Sequence, residues 1–217
     1  KYTIVNGKIV ADQAYYRNQT LQEVTLPSGI EEIGQFSFAR SSIKKVQLSE
    51  GVKTIGYGAF YHCDNLVEVV LPETIEVVEP NAFSYTAWVK NFQASGTSDY
   101  LISGGVLVAY RGQQEKVNVP EGVRVIAAEA FANHAEIKEL VLPQSLISVG
   151  EAAFENCSNL STVVLGEQLK QIKDRAFLGC NIHNVTLPKT MEAWGINAFD
   201  KKVRITYGGE IPSVTHE

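Results

Sequence analysis

Phenylalanine recurs along this 217-residue chain at Phe38, Phe60, Phe83, Phe131, Phe154, Phe177 and Phe199, in steps of 22, 23, 48, 23, 23 and 22 residues. Six of the seven follow Ala, and Ser37 precedes the first. A second landmark, at Leu26, Leu48, Leu71, Val119, Leu142, Leu165 and Leu187 and in most cases followed by Pro, keeps the same steps. Two independent landmarks in register leave one class of architecture. Each repeat is too short to bury its own apolar edge and does so only by stacking on its neighbours, so the chain is read as a repeat solenoid. Counting back 23 residues from Phe38 reaches Tyr15, and from Ile33 reaches Val10, which makes the N-terminal segment a degraded first coil. About eight coils are expected.

The stretch from Ile137 to Leu160, IKELVLPQSLISVGEAAFENCSNL, shows what one coil contains. It opens with an alternating strand whose inward residues form the rows Val24 and Leu26, Val46 and Leu48, Val69 and Leu71, Leu140 and Leu142, Val163 and Leu165, Val185 and Leu187. Proline after the strand cannot donate to a ladder and ends the pairing there. A second apolar pair follows, such as Ile30 and Ile33. Glycine then stands at Gly34, Gly56, Gly150 and Gly195, where a corner of unusual φ is expected. The Ala-Phe segment is expected to turn the chain back as a short helical or 3₁₀ turn. A period in the twenties with this content is that of a right-handed leucine-rich-repeat superhelix, mainly β with one parallel strand per coil.

Two segments depart from the period. Residues 1–20 pair YTIVNGKIV, a hairpin around Asn6-Gly7, with the degraded coil; the hairpin covers a sheet edge that would otherwise be open. Residues 84–116 hold one expanded coil, in which Tyr100 to Val108, YLISGGVLV, repeats the hairpin in phase. Residues 200–217 supply a final strand and an aperiodic tail, with Gly208 to Glu217 expected to be loose. The unbroken period makes 1–217 a single domain.

A formal charge of -5 argues against nucleic acid or an anionic membrane as partner, since both demand a basic face. Nothing approaches the apolar run that spans a bilayer, and no signal peptide opens the chain, whose start at Lys1 has the look of a trimmed end. Cys63, Cys157 and Cys180 each stand three residues after a repeat Phe, a column that Ser41 and His134 share, so they read as buried thiols. A Cys157–Cys180 bridge between neighbouring coils is geometrically thinkable. An enzyme needs more than this. His62 and Cys63 are sequence neighbours whose side chains diverge, and Cys157, Cys180 and His183 form only a partial metal set. No catalytic constellation, metal site or cofactor is expected.

The motif L-x-x-V-x-L-P-x-x-[IV]-x-x-[IV]-G-x-x-A-F-x-x-C-x-x-L, seen in Leu66 to Phe83 and Ile137 to Leu160, resembles the BspA-like class of bacterial leucine-rich repeats. The expanded coil, with Ala87-Trp88, Gly105-Val106-Leu107 and Tyr110-Arg111-Gly112, looks like a module common in that class. The resemblance implies a secreted or surface-displayed protein used in adhesion or recognition of an extracellular protein, such as a host matrix or surface protein; a monomer is expected. The runner-up is a structural spacer that displays another domain. Two surfaces are candidates for binding. One is the outward side of the strands, expected on a concave face: Glu23, Lys45, Glu68 and Val70, then Glu139, Val141, Thr162 and Val164. Alternating Glu and Lys there also suit plain cross-strand pairing. The other is the aromatic insert, Trp88, Phe92, Tyr100 and Tyr110, either an exposed anchor or a plug for the wider coil.

Overall fold

The computed structural model describes residues 2–208. The tail expected to be loose lies, but for Gly208, outside the described residues. The chain divides into two compact units, Lys1–Val106 and Leu107–Glu217, where the period alone points to one domain over 1–217. Both units are stacks of leucine-rich-repeat coils built from parallel strands with little helix.

The first unit starts with the expected hairpin. Strands β1 (Ile4–Val5) and β2 (Ile9–Val10) pair antiparallel, with Asn6 and Gly7 at φ 52° and 71°, the two left-handed residues of a type I′ turn. Each later coil contributes two short strands: β3 (Glu23–Thr25) with β4 (Glu32–Ile33), β5 (Lys45–Gln47) with β6 (Thr54–Ile55), and β7 (Glu68–Val70) with β8 (Val77–Val78). First strands pair in the order β3-β5-β7, and the second strands extend the hairpin as β1-β2-β4-β6-β8. Helix α1 (Ala87–Ala94) and strand β9 (Tyr100–Ser103) complete the unit.

The unit boundary falls at the start of β10 (Val106–Tyr110). The second unit continues with β11 (Lys116–Asn118), β12 (Val125–Ile126), β13 (Glu139–Val141), β14 (Ser148–Val149), β15 (Thr162–Val164), β16 (Gln171–Ile172), β17 (Asn184–Leu187), β18 (Ala193–Trp194) and β19 (Arg204–Tyr207). Its first strands run β11-β13-β15, and its second strands β10-β12-β14-β16-β18. The final strand, β19, pairs parallel to β17 and closes the array. Since β15 and β17 lie in different sheets, the inward residues Val163 and Leu165 on the last turn of the β11-β13-β15 ladder are only half-buried. Second strands number nine among the described residues, one more than the period counts, because β10 serves as a coil in its own right.

In each unit the repeat phenylalanines form a column of stacked rings. In the first unit Tyr15, Phe38, Phe60 and Phe83 stack at centroid spacings of 5.2, 5.3 and 5.3 Å, with rings within 10° of parallel. In the second, Tyr110, Phe131, Phe154, Phe177 and Phe199 stack at 4.7, 4.7, 5.1 and 5.2 Å. The spacing is one coil. Backbone bonds hold that pitch: the N–H of Phe38 donates to Ala59 O at 2.9 Å, Phe60 to Ala82 O at 2.8 Å, and Phe154 to Ala176 O at 2.8 Å.

Two local expectations are corrected. The Ala-Phe segment is a run of turns, not a helical or 3₁₀ turn. Residues two before and two after the rings of Tyr15, Phe38, Phe60, Phe83, Phe131, Phe154 and Phe177 are left-handed, for example Phe36 at φ 51° and Arg40 at 59° around Phe38, and Ala152 at 54° and Asn156 at 60° around Phe154. This alternation aims every second N–H along the stack, where a helix would aim it along the chain. The corner glycines do not adopt positive φ. A Cβ on Gly34 would lie 2.4 Å from Val10 O, and one on Gly150 would lie 2.6 Å from Ile126 O, so glycine is required by the close approach of the preceding coil.

Phe154→Ala removes a fully buried ring with a stacked neighbour on each face. It is expected to lower the unfolding free energy measured in urea by about 3–5 kcal/mol. A loss under about 1 kcal/mol would contradict the stacked column.

Candidate functional site

Three surfaces carry the side chains that the scaffold does not use. On the first strands of the first unit, the register aligns Glu23 with Lys45 and Glu68, and Thr25 with Gln47 and Val70. Lys45 Nζ lies 2.9 Å from a Glu68 carboxylate oxygen, and the hydrogen bond to Glu68 raises the lysine's pKa. In the second unit Lys116, Glu139 and Thr162 share a column, as do Asn118, Val141 and Val164. Lys116 Nζ and Glu139 pair at 3.3 Å. Lys45–Glu68 and Lys116–Glu139 thus pair across one coil, while Val70 (43% exposed) and Val164 (50%) face solvent and Val141 is half-buried.

The insert aromatics divide. Tyr110 is 3% exposed and its ring starts the second unit's column against Phe131, so it offers no face to a partner and the reading of it as an exposed anchor is corrected. Trp88 is half-buried and meets Phe83 edge-on at 5.2 Å, which ends the first unit's column. Helix α1 holds it there. Thr86 caps the helix by accepting from Val89 N–H at 3.3 Å, and Trp88 N–H donates to Leu66 O at 2.6 Å. Phe92 and Tyr100 are half-buried, and burial raises the Tyr100 pKa. No residue of α1 is fully buried.

The third surface lies on the turn side of the first unit. Here the left-handed position two after each ring carries Arg17, Arg40, His62 and Tyr85, at φ 59°, 59°, 53° and 63°. Around them the rings touch in sequence. Phe36 meets Tyr57 at 5.3 Å and Tyr61 at 6.4 Å, Tyr61 meets Tyr85 at 5.5 Å, and His62 stacks on Tyr85 at 4.4 Å. Arg40 Cζ stands 6.0 Å over Tyr61 and Arg17 Cζ 5.4 Å over Tyr16. Tyr85 is 53% exposed. In the sequence the columns at the ring and three residues beyond it stand out by residue type, while the one two residues beyond carries Arg, His and Tyr and does not.

The thiols are inert by placement. Cys63, Cys157 and Cys180 are free and buried, and their Sγ atoms donate to the carbonyls of Phe38, Phe131 and Phe154 at 3.1, 3.2 and 3.3 Å. Burial pushes Cys63 up to about 11, and Cys157 and Cys180 each up to about 12, from an ordinary 9.0. Cys157 and Cys180 face inward while His183 is exposed, so the partial metal set does not converge. Among the described residues no three His, Cys, Asp or Glu side chains gather where a metal ion would fit. The folded state favours the neutral thiol, so its contribution to stability is complete below about pH 9 and lost as pH rises through 11 to 12. A thiol-reactive dye at pH 8 is expected to label none of the three cysteines in native protein and all three in denaturant. Rapid labelling of native protein would contradict this burial.

No helix among the described residues is long and apolar enough to cross a membrane. Among curated proteins none matches the sequence. The chain is similar to the solved structure of a leucine-rich cell surface protein from Faecalibacterium prausnitzii, at 20% identity over 94% of this chain and 83% of that one, with a TM-score of 0.40. It is also similar to the pneumococcal vaccine antigen PcpA, at 17% identity, 87% and 67% coverage and a TM-score of 0.43. A leucine-rich repeat protein of T. pallidum stands at 21% identity, 95% and 82% coverage and a TM-score of 0.43. The family model described as the BspA type leucine-rich repeat region matches in six copies across residues 4–103 and 110–206. With nearly the whole chain matched, the protein belongs to the BspA-type leucine-rich-repeat family.

Proposed function

We propose that the chain is a non-enzymatic recognition module of a bacterial surface protein, acting outside the cell and binding a protein partner in adhesion. The observation that carries this reading is the connected ring surface of the first unit, Phe36, Tyr57, Tyr61, His62 and Tyr85, flanked by Arg17 and Arg40. Stacking the coils requires none of these residues, because the ring column seals the core without them. Tyrosine and arginine are the residues over-represented among binding anchors. Membership in a family of repeats found on bacterial surface proteins supports the extracellular setting. The outward strand residues Glu23, Lys45, Glu68 and Val70 in the first unit, and Glu139, Val141, Thr162 and Val164 in the second, are a further proposed contact surface. So are the half-exposed insert aromatics Trp88, Phe92 and Tyr100.

One observation favours a structural spacer instead. The lysines and glutamates of the strand surface neutralise each other, as a solvated ladder would, at Lys45–Glu68 and Lys116–Glu139. Binding separates the two readings. The purified chain, immobilised and exposed to a panel of extracellular matrix proteins, is expected to retain at least one of them. The Tyr61→Ala/Tyr85→Ala variant is expected to weaken that contact roughly 10- to 30-fold, and the variant with Glu23, Glu68 and Glu139 changed to Lys reports on the strand surface. Absence of binding across the panel would favour the spacer.

A further inference from the structure

We infer that the cleft on the turn side of the first unit takes an acidic peptide segment of the partner, with Arg17 and Arg40 each gripping a carboxylate. The inference rests on the protein-recognition reading above and names the chemistry of its partner.

The cleft has a volume of about 460 Å³ and is lined by Arg17, Gln19, Arg40, His62, Asp64 and Asn65. Its two arginines stand on successive coils. Arg17 N–H donates to Ala39 O at 2.8 Å and Arg40 N–H to Tyr61 O at 2.8 Å, which fixes their backbones one coil pitch apart, about 4.8 Å at strand spacing. Gln19 ties the floor between them, its Nε2 donating to Arg17 O at 3.1 Å and to Arg40 O at 3.0 Å. Left-handed φ is unfavourable for a residue bearing a Cβ, and asparagine and glycine carry it most readily. The second unit uses them at the equivalent positions, Asn133, Asn156 and Gly179. Arg17 and Arg40 therefore hold places that the fold would fill more cheaply with something else.

Charge sets the chemistry of the occupant. Lys8, Lys45, Lys90, Lys116, Lys138, Lys170 and Arg175 each have a carboxylate within 4 Å. Arg17 and Arg40, like Lys44 and Lys53 of the same unit, form no such pair among the described residues, and the groups their guanidiniums cover are the rings of Tyr16 and Tyr61. The one acid in the cleft is already taken. Asp64 accepts from Lys90 Nζ at 2.8 Å and lies 3.6 Å from His62 Nδ1, and the Lys90 bond holds its carboxyl below the usual range. Two unpaired guanidiniums in a chain of formal charge -5 present a local positive site in an otherwise acidic protein.

An extended peptide fits that site. Its alternate side chains leave one face about 6.5–7 Å apart, within reach of two flexible arginines rooted one coil apart, and each guanidinium matches a carboxylate as a two-pronged donor. Residues beside the carboxylates meet the Tyr61 and Tyr85 rims. A long polyanion such as a heavily sulfated glycan would extend past two arginines onto acidic surface and be repelled there.

The test uses a fluorescein-labelled hexapeptide of alternating Glu and Val, its Lys-Val counterpart and heparin, with the whole chain and the R17Q/R40N double variant. Asn at position 40 keeps the left-handed turn, and circular dichroism confirms that the variant is folded. The expected result is saturable anisotropy with the acidic peptide alone, weakened roughly 10-fold or more in the double variant and by about 0.5 M salt. Absence of peptide binding, equal binding by the double variant, or heparin binding without peptide binding would each overturn the inference. If the Tyr61→Ala/Tyr85→Ala variant loses a matrix protein that R17Q/R40N retains, the acidic clamp fails while protein recognition stands.

Discussion

Stacking of one coil on the next is the interaction on which everything else here depends. A single coil of this chain has two short strands, one ring in the buried column and no enclosed core. It gains stability only when the ring meets another at about 5 Å and its amides find carbonyls in a neighbour. Each buried aromatic pair adds on the order of 0.5–1.5 kcal/mol beyond the area it removes from water. That gain repeats with the period, so the sequence must repeat too, and the ends need special treatment. Tyr15 and Tyr110 start the two ring columns, and Trp88 turns edge-on to finish the first.

The same constraint separates scaffold from surface. Inward positions are held to Val, Ile, Leu, Phe, Ala and Cys by the space between coils, and the glycines at the corners are held by backbone carbonyls of the preceding coil. Ser37 is the misfit. It occupies an Ala position, fully buried, and among the described residues its hydroxyl has no hydrogen-bond partner. Outward positions answer to no such rule. On the strands they have settled into Lys–Glu pairs one coil apart, and on the turn side of the first unit they gather rings and unpaired guanidiniums.

Much of the fold was legible because burial acts on residue type at a fixed spacing. Phe38 to Phe199, the inward strand rows and the thiol column could all be read by counting, and Asn6-Gly7 announced its hairpin through φ alone. What counting missed was geometry that residues of different types share. The left-handed positions accept Phe36, Ala152 and Arg175 as well as Asn81, so no residue type marks them. Glycine at position 34 reads the same whether φ or a neighbouring carbonyl demands it, and only the 2.4 Å approach to Val10 O tells which. Tyr110 looked like part of an aromatic insert because the 48-residue step hides that it belongs to the ring column. The candidate site was the least legible part. Arg17, Arg40, His62 and Tyr85 lie in one column, yet their common offset of two from the ring emerges only once the turn is known to aim that position outward.

Native-state hydrogen exchange tests the stacking account most directly, because the amides of Phe131, Phe154 and Phe177 donate across coils to Ala153, Ala176 and Ala198. If the coils stabilise one another, these three amides should exchange slowest in the second unit and open together, with a shared free energy close to that of global unfolding. Exchange at unrelated rates, coil by coil and well below the global value, would contradict it.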